Sequence, residues 1–276
     1  DIKKYKKVKT FYFNQQKFDK IIAYCDKLKI NYLFTPLSHD WVDYIKKNSK
    51  NIKIASGDLN FNYLIRKIIQ NNFNIILSTG ASNLKEIQKT FKIIKSKYGK
   101  QTSNKLVIMH CVSKYPVPDE EASLSSIVLL KEKFNLTIGY SNHVIGINAC
   151  LASICMGARV IEFHFTDNKK RKFRDHQLSL DKSDVTKMIK IGNNYIKLIG
   201  KYEKEINKKI QLEKNSLSKG IIVNKNLKTN HKIKMNDLSY ARPAKYFQAN
   251  EIKKVLNKKL NRNIKFGSLI IKSILK

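Results

Sequence analysis

Two histidines stand at matching places in the chain. His143 closes Gly139-Tyr-Ser-Asn-His143, and His164 closes Ile161-Glu-Phe-His164, each at the end of a β-rich run. On consecutive strands of a parallel sheet, both imidazoles would point at one place. With oxygen or water ligands they could hold a divalent transition metal. A lone histidine there would read as a hydrogen-bonded core residue, but a matched pair favours a metal or catalytic role.

An anion site is suggested nearby. Lys53 lies inside the apolar run Ile52–Ala55, and burying an unpaired ammonium is costly. Ser78-Thr79-Gly80 leads through Ser82 and Asn83 into a helix near Leu84, and free N–H groups at a helix start favour phosphate. The same pattern also serves ordinary capping. Ser56, Ser113 and Ser141 add three hydroxyls beside the one cation. Asp175, just after His164, could accept hydrogen bonds from a polyhydroxylated substrate or be an ordinary loop carboxylate, and His176 reads as surface. Tyr115, in the proline-stiffened Lys114–Pro118, could face a ligand or shape a turn.

The elements that must position these groups alternate. Strands are expected at Tyr32–Phe34, Ile52–Ala55, Ile75–Leu77, Leu106–His110, Leu136–Gly139 and Val160–Phe163. Helices are expected at Phe18–Leu28, Trp41–Lys47, Tyr63–Gln70, Leu84–Lys97, Ser125–Phe134, Ile147–Met156 and Lys182–Ile199. This is the pattern of a parallel α/β fold. Thr35, Ser56, Ser78, Ser113, Ser141 and His164 fall at or just past strand C-termini. A closed barrel gathers those ends at one mouth, whereas an open sheet strings them along an edge, so a (β/α) barrel is expected. The barrel would occupy residues 1–200, a charged linker 201–214, and a small, mostly β domain 215–276 with strands in Gly220–Val223, Lys232–Leu238 and Asn263–Lys272.

Composition narrows the function classes. The chain has 276 residues with 42% hydrophobic content, enough for a large domain and a small one. No apolar run approaches the roughly 20 residues of a membrane span, and no signal-peptide pattern is found. Four cysteines without CxxC spacing suit a reduced, cytoplasmic setting. The net charge of +34 invites a nucleic-acid reading, but the basic residues are mostly Lys and are dispersed over the whole chain. A solvated, lysine-rich surface is the expectation, with neither nucleic acid nor membrane as partner.

Taken in order, Lys53-Ile-Ala-Ser-Gly-Asp58, Leu77-Ser-Thr-Gly-Ala-Ser-Asn83 and His110-Cys-Val-Ser-Lys-Tyr-Pro-Val-Pro118 resemble the sialic acid synthase family. The likeness continues in Ile138-Gly-Tyr-Ser-Asn-His143, Gly157-Ala-Arg-Val-Ile-Glu-Phe-His-Phe-Thr166 and Asp175-His-Gln-Leu-Ser-Leu180. The family includes the N-acetylneuraminate, legionaminate and pseudaminate synthases. The tail resembles its antifreeze-like (SAF) domain, with Arg242 in Ala241-Arg242-Pro243.

The resemblance implies a TIM-type barrel that condenses phosphoenolpyruvate with an N-acyl amino-sugar such as N-acetylmannosamine and releases phosphate. It implies His143 and His164 as ligands of a divalent metal, usually manganese. Thr35, Lys53, Ser56, Ser78, Ser113 and Ser141 would line the phosphoenolpyruvate pocket, and Asp58, Tyr115 and Asp175 would stand near the sugar or the reacting centre. Arg242 would reach the partner's site in a domain-swapped homodimer. The family's first two strand–helix units have no counterpart before Thr35, so the expectation is a barrel without them. A catalytically inactive remnant of the same family is the alternative.

Overall fold

The computed structural model describes Lys9 and residues 11–172 and 174–276. The chain divides between Gly200 and Lys201 into two compact units. The elements of the first are α1 (Gln15–Leu28), α2 (Trp41–Asn48), β1 (Asn51–Ile54), α3 (Asn62–Gln70), β2 (Asn74–Ser78) and α4 (Leu84–Tyr98). They continue with β3 (Leu106–His110), α5 (Ser125–Phe134), β4 (Thr137–Asn142), α6 (Asn148–Cys155), β5 (Val160–Phe163) and α7 (Lys182–Ile199). Strands β1 to β5 form one sheet in sequence order, and every neighbouring pair is parallel.

The period of two along each strand sorts the side chains onto two faces. Ile52, Ile54, Ile75, Leu77, Leu106, Ile108, Ile138 and Tyr140 are buried in one core with α-helical residues such as Ile45, Ile65, Ile68, Ile94 and Ile127. The alternate residues are paired across the sheet: Lys53 with Ile76, Ser78 with Met109, Met109 with Gly139, and Ser141 with Glu162. These belong to the other, more polar face. Lys53 on β1 meets Glu162 on β5 at 3.2 Å, although the two strands are the opposite edges of the sheet. In a flat sheet they would be about 19 Å apart, beyond the combined reach of the two side chains. The sheet is therefore strongly curved, with the polar face inside the curve, as in part of a TIM-type barrel.

Two α-helices of the first unit start with a reciprocal capping box. Asn83 caps α4 in a reciprocal box with Glu86, and Asp181 caps α7 in one with Asp184.

Three expectations are corrected. Tyr32–Phe34 is not a strand: only Phe34 bridges to Ile52, with the Lys53 N–H donating to the Phe34 carbonyl at 2.8 Å. Pro36 follows two residues later and has no N–H to continue a ladder. β4 extends past Gly139 to Asn142, because the β5 ladder holds it there, so Ser141 lies within the strand. The charged stretch expected as a linker is helical from Lys208 to Leu217 (α8), where the Asn207 side chain accepts from the Ile210 N–H.

The second unit holds β6 (Gly220–Val223) and β7 (Leu238–Ala241), paired antiparallel. Lys232–Leu238 and Asn263–Lys272 contribute isolated bridges rather than strands, and residues 235–237 form a 3-10 turn. Its core gathers Ile221, Val223, Ile233, Val255, Leu260 and Ile270. Within it the Asp237 carboxylate is 2% exposed and holds Lys225 at 2.7 Å and His231 at 2.6 Å. Burial opposes its ionisation, but hydrogen bonds from Lys225, His231 and the Lys234 N–H win and hold its carboxyl far below the usual range.

Candidate active site

The concave face of the sheet ends in a cavity of about 390 Å³ at the C-terminal ends of the strands. Its walls include Lys53 from β1, Ser78 from β2, Cys111 and Ser113 after β3, Ser141 from β4 and Glu162 from β5. His143 and His164, two residues beyond Ser141 and Glu162, keep the inward phase of their strands and line the same cavity, with Ser56 and Tyr115. Alternation along strands thus delivers nearly all of the polar groups to one place.

At one side stand three aromatic rings. The ring centroids of His143 and His164 lie 5.4 Å apart, and Tyr115 lies 4.2 Å from the first and 5.8 Å from the second. The Nδ1 of His143 is 2.7 Å from the Val112 carbonyl, which fixes that nitrogen as the donor and leaves Nε2 as the free lone pair. Burial pushes the His143 pKa down against the opposing pull of that carbonyl, and the neighbouring His164 adds to the lowering. Its imidazole is thus neutral at physiological pH, the form that can ligate. His164 Nδ1 lies 3.8 Å from Asp175 Oδ2. The Tyr115 hydroxyl is pushed upward by burial first and by nearby acidic groups second. The Val117 N–H donates to the His143 carbonyl at 2.9 Å, tying the Tyr115 loop to the end of β4.

At the other side the groups suit an anion. The Gly80 N–H donates to Ser56 Oγ at 3.0 Å, and Ser56 Oγ sits 3.2 Å from Cys111 Sγ. A Cβ on Gly80 would fall 2.6 Å from Cys111 Sγ and 2.7 Å from Ser113 Oγ, so only glycine lets this turn close on the cavity wall. Ser78 Oγ is buried without a hydrogen-bond partner among the described residues. Glu162 Oε2 is likewise buried and unpartnered, while Oε1 takes the Lys53 ammonium. Buried polar atoms are nearly always satisfied, so two orphans on one cavity mark a place built for something else to bind or move.

Not every expected residue arrives. Thr35 is exposed and lines a separate, apolar hollow with Phe13, Phe34, Leu37 and Trp41, because the chain leaves the sheet at Phe34. Asp58 closes the 3-10 turn after Ser56, outside the cavity wall, and burial raises its carboxyl pKa. Asp175 is not part of the described cavity wall; it lies 3.8 Å from His164 and near enough to Tyr115 to raise its hydroxyl pKa. Arg242 belongs to the second unit, just past β7. His176, expected at the surface, is half-buried with Nδ1 2.8 Å from Thr166 Oγ1. Glu162 and Cys111 were not singled out from sequence, yet both line the cavity. His110 is the bland counterpart: it faces the helix side, 2.9 Å from the Ala122 carbonyl and stacked on Tyr140.

The two imidazoles offer a divalent cation an open donor set. Among the described residues no group of three or more His, Cys, Asp or Glu converges to complete a shell. Water or substrate oxygens would have to supply the rest, as at catalytic rather than structural sites.

A curved parallel α/β sheet of five strands, with its polar groups gathered at the strand C-termini, is the half-barrel arrangement of a TIM-type fold. The chain belongs to the NeuB family, whose model matches residues 1–204. It is 32% identical over 251 residues to an N,N'-diacetyllegionaminic acid synthase of Campylobacter jejuni, covering 91% of this chain and 75% of that one. An N-acetylneuraminic acid synthetase structure from Leptospira borgpetersenii, in complex with citrate, superposes with a TM-score of 0.68 at 28% identity, over 73% of this chain and 69% of that one. The spore coat polysaccharide biosynthesis protein E of Chromobacterium violaceum shares the fold, with a TM-score of 0.80 at 21% identity, over 96% of this chain and 79% of that one. Among the described residues, no helix is long and apolar enough to cross a membrane.

Proposed function

We propose that the protein is a nonulosonic acid synthase, condensing phosphoenolpyruvate with an N-acyl amino-sugar such as N-acetylmannosamine and releasing phosphate. The observation that carries this reading is the cavity itself, which joins Lys53, Ser56, Ser78, Ser113 and Ser141 to the His143–His164 pair. The family membership and the names of its relatives agree with it.

Lys53 and the serine hydroxyls hold the phosphate and carboxylate of phosphoenolpyruvate. A divalent cation, manganese by preference, held by His143 and His164 would supply Lewis acidity for the sugar aldehyde. The methylene carbon of phosphoenolpyruvate attacks the aldehyde carbon, and the aldehyde oxygen gains a proton. Water adds at the resulting cationic carbon, and phosphate leaves with its bridging oxygen. The chain's part is to align the two substrates and to fix donors where charge develops. Tyr115, against both imidazoles, and Asp175, beside His164, would meet the sugar; Asp58, outside the cavity wall, is left out of this scheme. The second unit acts as an SAF domain whose Arg242 reaches a partner subunit's site in a domain-swapped homodimer. The reaction belongs to the cytoplasm.

Incubating the purified protein with phosphoenolpyruvate, Mn²⁺ and a panel of N-acylhexosamines should release phosphate with at least one sugar. No release with any of them would reject the proposal.

A further inference from the structure

Lys53 is the cation the anion pocket depends on, and it is already engaged. Its ammonium lies 3.2 Å from Glu162 Oε1, across the whole width of the curved sheet. The pair sits in the cavity wall, with the Lys53 side chain 15% and the Glu162 side chain 38% exposed. A carboxylate beside the one lysine that lines an anion cavity among the described residues opposes anion binding, since it neutralises the attracting charge and repels the ligand. The arrangement is also incomplete, because Glu162 Oε2 is buried with no hydrogen-bond partner among the described residues. A buried carboxylate oxygen without a donor is costly, so the pair gains from any donor that reaches it. Ser78 Oγ, in the same cavity, is also unpartnered.

We propose that Glu162 is a positioning residue that competes with the incoming anion for Lys53: it holds the ammonium until the anion displaces it, and the released carboxylate then accepts hydrogen bonds from the second, hydroxyl-bearing substrate. The exchange makes one substrate's arrival a condition for the other's seat. Lys53 passes from a carboxylate to a phosphate or carboxylate of the ligand, and its charge is never left bare. Glu162 turns a desolvated oxygen towards hydroxyl donors. No covalent bond changes in the exchange. The inference rests on the proposed anion pocket, and it adds an order of binding and a residue that nothing in the sequence had marked.

The test is an anion titration without sugar or metal, read by calorimetry with phosphoenolpyruvate and, separately, with inorganic phosphate. Glu162→Gln should bind both anions more tightly than the unsubstituted protein, by about 5–10-fold, while KM for the sugar rises by a similar factor. Glu162→Asp separates contact from charge: it keeps the charge but withdraws it from Lys53, and it too should tighten anion binding. Weaker or unchanged anion binding in Glu162→Gln would overturn the competition. So would a Glu162→Asp variant that binds like the unsubstituted protein, because the effect would then be a general field. An unchanged sugar KM in Glu162→Gln would overturn the second half. Failure of the unsubstituted protein to bind phosphoenolpyruvate, with inorganic phosphate still obeying this pattern, would reject the proposed substrate and keep the Lys53–Glu162 exchange. Binding of neither anion would overturn both.

Discussion

A single carbonyl sets the tautomer of His143. The Val112 oxygen occupies Nδ1 at 2.7 Å, and burial keeps the ring neutral, so Nε2 presents a lone pair. The folded pKa lies below the ordinary value of about 6.5. The unfolded chain therefore binds the proton more readily, and the stability tied to the neutral ring is full above pH 6.5 and falls as pH drops towards the folded value. His143→Ala should weaken Mn²⁺ binding by at least about 100-fold in calorimetry, beyond the loss typical of an outer-shell partner. Unchanged affinity would refute the ligand assignment. Both histidines were legible in the sequence because each ends a β-rich run. Glu162 was not, although Lys53 gave the clue: a lysine inside an apolar strand needs a counter-charge, and Glu162 shares the inward phase of His164 two residues on. Thr35 failed for the opposite reason, since its position past a strand assumed a strand that shrinks to one bridge.

Among the elements, the strands were legible where each run is apolar on both faces or carries small polar groups inward. Helices were legible in place and off at their ends, where frayed turns and caps set the last residue; α5 and α7 match their expected bounds. What periodicity could not report was curvature, since it is set by pairing across five strands. Gly139, on β4, is the most closely packed of the chain's glycines. A Cβ there would lie 2.1 Å from Met109 Sδ and 2.7 Å from the Val160 carbonyl. The thioether could yield, but the carbonyl belongs to the β4–β5 ladder and cannot move without loosening Ser141, His143 and Glu162 together. Gly139→Ala should therefore destabilise the fold by about 1–3 kcal/mol in urea unfolding and reduce metal and anion binding together. A fully stable variant with normal binding would show that the sheet absorbs the methyl group.

At the scale of the whole molecule, a net charge of +34 said little about purpose, because the lysines are dispersed; its one pointed use is Lys53, where the charge is inside. The division of the chain was legible as a change of texture after Gly200, but α8 was hidden by its lack of an apolar face and the second unit's short bridges by their length. That unit rests on a core cluster of ten buried apolar residues and on one buried carboxylate. Asp237 ties Lys225 and His231 to the turn before β7, and its folded pKa lies well below the unfolded value of about 3.9. Its stabilisation is fully present above pH 4 and is lost as pH falls through that region towards the folded value, because the unfolded chain takes up the proton first. Asp237→Asn removes the charge and leaves the Lys225 ammonium and the His231 ring facing an amide, at a cost of about 1–3 kcal/mol, because solvent at the half-exposed Lys225 screens part of the loss. Hydrogen exchange at neutral pH should show amides of 220–241 losing protection in the variant. On acidification from pH 5 to 3, those amides should lose protection in the unsubstituted protein and change less in the variant, which has no carboxylate left to protonate. Equal acid sensitivity in both proteins would place the acid-labile group elsewhere.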